Sequence, residues 1–106
     1  IGEFPRVVAS AADLREPLSS EIPTLLISGG SDPVTPPRYA ERVAETLSNS
    51  RHLVVPGLGH GVIAYGCMPA IVTRFIQAGE PAGLDTTCLD ELRPPPFFLS
   101  FAGPQP

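Results

Sequence analysis

Asp32 and His60 are the residues whose types and settings could do chemistry together. A carboxylate that accepts from one imidazole nitrogen fixes the ring's tautomer and stabilises the imidazolium. The other nitrogen is then free to take a proton from a nucleophile. Asp32 stands four positions past Ser28 and His60 five past Val55, each in a turn after a short apolar run. Each also has a plainer explanation. An Asp before Pro33 reads as an Asx-turn residue whose side chain bonds its own backbone. A histidine within Gly57-Leu58-Gly59-His60-Gly61, taken alone, reads as a surface or packing residue. The parallel placement of the two favours chemistry over both. His52 opens its apolar run without such a setting and reads as structural. No ligand cluster surrounds the pair, so neither a metal nor a cofactor is expected.

The elements that must position these residues follow from pattern. Ile22–Ser28 is a short apolar run bounded by Pro23 at its start and Gly29-Gly30 at its end, as in a strand buried on both faces. Residues 31–37 form a turn that opens a helix. Thr35 is placed to cap it, with Pro36 and Pro37 in the first turn. Ala40, Val43, Ala44 and Leu47 make its apolar stripe, while Arg38, Glu41, Arg42 and Glu45 face away, until Ser48-Asn49-Ser50 stops it. His52–Val55 is a second strand, ended by Pro56-Gly57. A second helix runs from about Cys67 to Ala78, with Pro69 in its first turn. Its stripe is Met68, Ile71, Val72 and Phe75, and Gly79 is its stop.

The order strand, helix, strand, helix implies an α/β fold with parallel strands and a right-handed crossover. In open parallel sheets functional groups sit past the carboxyl ends of the strands, which brings Asp32 and His60 to one edge. Parallel strands need cover on both faces and neighbours on their edges. The chain therefore reads as one edge of a larger doubly wound parallel sheet. Its expected divisions are a loop segment over 1–20, an α/β region over 21–90 and a Pro-rich tail over 91–106. Residues 1–4, which lack Met, are expected to be a cloning remnant or a processed start.

Composition excludes several partners. The 106 residues carry a formal charge of -4, and all 7 basic residues are scattered arginines, so no basic stripe for nucleic acid exists. No apolar run approaches membrane-spanning length. Hydrophobic residues make up 42%, enough for a globular chain. Cys67 and Cys88 are compatible with a disulfide or with two buried thiols, and no further Cys stands near for a zinc knuckle.

Ile22-Pro-Thr-Leu-Leu-Ile-Ser-Gly-Gly-Ser-Asp-Pro-Val-Thr-Pro-Pro37 resembles the acid-bearing segment of α/β-hydrolases, and Ser50-Arg-His-Leu-Val-Val-Pro-Gly-Leu-Gly-His-Gly61 their last strand and histidine loop. The stretch from Pro23 to about Cys88 is similar to the C-terminal region of the tripeptidyl-aminopeptidase-like and proline-iminopeptidase-like branch. The resemblance implies a serine hydrolase, with Asp32 as triad acid, His60 as base and a peptide or small ester or amide as substrate. It also implies a Cys67–Cys88 disulfide, and hence a secreted or periplasmic setting. Closing that loop is worth about 3 kcal/mol in the loop-entropy treatment.

The family's nucleophile belongs to a Gly-x-Ser-x-Gly elbow upstream of the acid. No such motif occurs here, and Gly29-Gly30-Ser31-Asp32-Pro33 fails at its last position. The chain is expected to hold the acid and base, to rely on the remainder of the sheet for its serine, and to be inactive alone. Alternatives are an esterase or lipase on the same scaffold, or a non-catalytic interaction module whose Pro-rich tail serves as a ligand segment.

Overall fold

A computed structural model of the chain describes residues 14–94 and 96–103. The expected cloning remnant at 1–4, most of the N-terminal loop segment, Pro95 and the Pro104–Pro106 end of the tail lie outside the described residues.

Strand β1 spans Thr24–Gly29 and β2 spans Ser50–Val55, paired in parallel from Thr24↔Ser50 to Gly29↔Val55. β1 starts two residues later than its apolar run. Ile22 is engaged locally instead: the Ser20 hydroxyl accepts from its amide at 3.1 Å, and its carbonyl accepts from the Thr24 hydroxyl at 2.8 Å. Such side-chain bonds compete with the ladder. β2 starts two residues earlier than expected. Ser50 pairs in the sheet while its hydroxyl donates back to the Leu47 carbonyl at 2.7 Å.

Helix α1 spans Pro37–Ala44, with Pro36 at its N-cap position. Thr35 does not cap it: no side chain caps this helix, and the Thr35 hydroxyl is committed elsewhere. α1 also ends before Leu47. That residue leaves the helix, forms an isolated parallel bridge with Ser20 and is buried. Burying Leu47 at the sheet's lower end displaces the helical continuation its spacing predicts. Helix α2 spans Met68–Ala78 and closes on Gly79, whose left-handed conformation (φ 69°) directs its amide to the Phe75 carbonyl. Only glycine enters this region without steric cost. Two 3₁₀ turns, Val62–Ala64 and Thr87–Glu91, complete the order.

The core lies on one face of the sheet. Leu53 and Val55 of β2, with Leu25 and Ile27 of β1, pack against Met68 and Ile71 of α2 and against Leu58, Val62 and Leu89. Alternation along each strand puts these four strand residues on that face. α1 packs on both strands yet gives no side chain to this cluster, which places it over the other face. On that face the Ser28 hydroxyl and His52 Nε2 are 2.7 Å apart, a cross-strand bond that accounts for His52 structurally. Contrary to expectation, β1 is not buried throughout. Leu25, Leu26 and Ile27 are only half-buried, because two strands cannot cover one another. Past Glu91, which ends the second 3₁₀ turn, the tail has neither helix nor strand among its described residues.

Cys67 and Cys88 form a disulfide with Cα atoms 6.5 Å apart, tying the start of α2 to the second 3₁₀ turn. Arg51 secures the segment between them, donating to the Leu84 carbonyl at 2.9 Å and to the Thr86 hydroxyl at 3.1 Å. Replacing both cysteines with serine is expected to lower stability by about 3 kcal/mol, chiefly by freeing the unfolded chain. Urea unfolding of the oxidised and double-serine proteins measures this directly. Equal midpoints would contradict it.

Candidate active site

The acid and histidine loops are built against each other at the C-terminal ends of the two strands. Past the last ladder pair, the Gly30 amide donates to the Val55 carbonyl at 2.8 Å and the Ser31 amide to the Leu58 carbonyl at 2.9 Å. A third bond, from the Asp32 amide to the Gly29 carbonyl at 3.1 Å, turns the acid loop back on itself. These bonds carry the parallel pairing into the loops, so the distance between Asp32 and His60 is set by backbone rather than by long side chains.

The Asp32 side chain is 4% exposed and that of His60 is 65% exposed. His60 Nδ1 lies 2.8 Å from Asp32 Oδ2. The same oxygen accepts from the Thr35 hydroxyl at 2.7 Å. Oδ1 accepts from the Val34 amide at 2.9 Å and the Thr35 amide at 3.1 Å. Four donors thus occupy the roughly four acceptor positions of a carboxylate. The Asx-turn and the histidine-partner readings of Asp32 are therefore not alternatives, since one oxygen serves each.

Burial by itself would raise the Asp32 carboxyl, but the bonds from the Thr35 hydroxyl, His60 and the Thr35 and Val34 amides outweigh it. They hold the group well below the usual carboxylate range. An ionised carboxylate can only accept, so His60 Nδ1 must carry the hydrogen between them. Nε2 is then the basic nitrogen, and it has no hydrogen-bond partner among the described residues. This arrangement can accept a proton at Nε2 and stabilise the resulting imidazolium against a fixed negative charge.

A carboxyl depressed on folding stabilises the native state fully above its unfolded value of 3.8, and the contribution is lost as pH falls below that toward the folded value. The urea midpoint of the wild type is therefore expected to exceed that of Asp32→Asn at about pH 5, and the margin to shrink below about pH 4. Asp85, whose carboxyl is also lowered, by the Thr87 amide and hydroxyl, is present in both proteins and cancels. A margin independent of pH would contradict the linkage.

Both sequence-predicted residues, Asp32 and His60, come together here, as do Cys67 and Cys88 elsewhere in the fold. Sequence reasoning missed two contributors. Thr35, read as a helix cap, contacts both Asp32 and His60. Gly29, read only as a strand breaker, is where the loops cross. A Cβ there would stand 2.2 Å from the Gly59 carbonyl oxygen and 2.5 Å from that of Leu58. The Asp-Pro-Val-Thr spacing was the available signal for Thr35, since an Asx turn places the residue three positions on beside the carboxylate. No local signal marks Gly29. Among the described residues no three His, Cys, Asp or Glu side chains converge to hold a metal, and no helix is long and apolar enough to cross a membrane.

The family described as TAP-like protein matches residues 5–88. No curated protein and no solved structure matches the chain. The matched span takes in both strands, the two loops that meet at their ends and both cysteines: the chain belongs to the TAP-like family of α/β-hydrolases.

Proposed function

We propose that this chain is the C-terminal part of a serine-type α/β-hydrolase that acts on peptide N-termini, contributing the triad acid Asp32 and the base His60. The observation that carries the reading is the 2.8 Å contact between His60 Nδ1 and a saturated, buried carboxylate, with Nε2 left open. The supporting region is residues 21–90, which would form the edge of a doubly wound sheet whose remainder brings the serine and the oxyanion donors. The Pro-rich tail over 91–106 lies beyond it. The disulfide supports a secreted or periplasmic location, since such bonds persist in oxidising compartments.

In this mechanism the serine hydroxyl attacks the substrate carbonyl as His60 Nε2 takes its proton. The imidazolium that forms is stabilised by Asp32, which stays ionised. His60 then returns the proton to the leaving amine, and a water repeats the cycle on the acyl-enzyme. The chain alone lacks a nucleophile elbow, so it is expected to be inactive without its complement.

The test uses the full-length hydrolase with aminoacyl p-nitroanilides carrying a free or an acetylated N-terminus, and with p-nitrophenyl esters. The expected result is kcat/KM at least about 10-fold higher for the free amine, since recognising a buried charged group is worth this much or more. Turnover of esters alone would overturn the peptidase reading in favour of an esterase. Saturable turnover by the isolated chain would overturn the division of the triad.

A further inference from the structure

We propose that Thr35 is a positioning residue for this site, its hydroxyl bridging Asp32 and His60 so that the plane of the imidazole is fixed. The inference rests on the reading of Asp32 and His60 as acid and base, and it assigns the orientation of the base to a third side chain.

The hydrogen-bond inventory leaves one arrangement. Thr35 Oγ1 is 2.7 Å from Asp32 Oδ2 and 3.2 Å from His60 Nδ1. A hydroxyl has one proton and two lone pairs. Asp32 is ionised and accepts only, so the Thr35 proton goes to Oδ2. His60 Nδ1 already carries a hydrogen, so toward His60 the threonine oxygen can only accept. The Nδ1–H is therefore shared between Oδ2 at 2.8 Å and Oγ1 at 3.2 Å. One acceptor leaves a ring free to turn about the hydrogen-bond axis, and a second acceptor off that axis removes the freedom.

His60 needs such a restraint. Within this chain its side chain is 65% exposed, so the described residues pack little of it. Gly59 and Gly61 flank it and offer no side chains as braces. Thr35 is itself well held. Its amide donates to Asp32 Oδ1 at 3.1 Å, its β-branched side chain has few rotamers, and Pro36 restricts its backbone. The residue thus grips both carboxylate oxygens and presents its remaining lone pair to the ring. Because α1 takes no cap from it, the hydroxyl has no competing duty at the helix.

The experiment measures inactivation of the full-length hydrolase by a fluorophosphonate, which reports serine activation whatever the natural substrate. Thr35→Val keeps the shape and the amide but removes the hydroxyl. It is expected to lower kinact by about 10- to 100-fold, the range for a hydrogen bond to a charged group, with KI changed by less than about threefold. Thr35→Ser is expected to recover kinact to within about threefold of wild type, since it restores the hydroxyl without the branch. Wild-type kinact in Thr35→Val, with Asp32→Asn strongly impaired, would overturn the role of Thr35 and leave the acid–base reading standing. Wild-type kinact in Asp32→Asn would overturn that reading and this inference with it. Equal impairment of folded Val and Ser variants would reduce Thr35 to a structural residue. Should Thr35→Val not fold, proton NMR of the wild type decides. A slowly exchanging Thr35 hydroxyl proton with a cross-peak to the His60 Nδ1 proton supports the bridge, and the absence of that cross-peak overturns it.

Discussion

Replacing Asp32 with asparagine in the full-length hydrolase is expected to lower kcat by about 10⁴-fold with the fold retained. The carboxylate's surroundings explain why an isosteric change is so costly. Oδ1 faces two amides, those of Val34 and Thr35. The asparagine carbonyl must take that position, because an NH₂ group there would meet two N–H donors. The NH₂ group is then forced toward Thr35 and His60 Nδ1. His60 can meet it only as an acceptor, which moves the ring's hydrogen to Nε2, the nitrogen that must stay basic. The variant would therefore hold the wrong tautomer in the right place. Steady-state kinetics and circular dichroism of the variant measure both halves of the claim. Turnover within tenfold of wild type in a folded protein would refute the role of Asp32.

Gly29→Ala is expected to be among the most damaging single substitutions in the chain, lowering stability by about 3 kcal/mol or more and serine activation along with it. The added methyl would lie 2.2 Å from the Gly59 carbonyl oxygen, far inside contact distance. The neighbours are backbone atoms of the histidine loop and cannot rotate away as a side chain can. Either β1 parts from β2 at its final pair, Gly29↔Val55, or residues 58–60 move outward. Both movements lengthen the Asp32–His60 contact. Gly59→Ala is the control. It sits one residue before the base, but a Cβ there meets nothing within 4 Å. Thermal melts of the two variants should separate them by more than about 10 °C, given roughly 4–8 °C per kcal/mol in a domain of this size. Matching melting temperatures would show that the loops do not depend on this close approach.

Features set by local signals are legible in the sequence. Short apolar runs closed by Gly29-Gly30 and by Pro56-Gly57 marked two strands, and counting past their ends found Asp32 and His60. Pro69 and Gly79 bracketed α2 because both act through their own backbones. Features that depend on partners from elsewhere in the chain are not legible in this way. Thr35 before Pro36-Pro37 has the form of a cap, and that reading considers only the helix that follows. Asp32 and His60, nearer in space, won its hydroxyl. Leu47 continues a helical stripe on paper, but burial beside Ser20 was available only once residues 18–20 had come alongside. The half-buried state of β1 belongs to the same class, since a strand's burial depends on what packs over it and not on its own residues.

The sequence by itself determined that a carboxylate and an imidazole follow two apolar strands, and that an α/β framework carries them. Apolar periodicity, prolines and glycines act over a few residues, so they can be read in one dimension. The tertiary structure decided which oxygen of Asp32 faces His60, that Thr35 touches both, and that Gly29 is the point where the loops cross. Those outcomes depend on which loops the parallel register brings within 3 Å of each other, and hydrogen bonds and steric contact have no meaning until that approach is made.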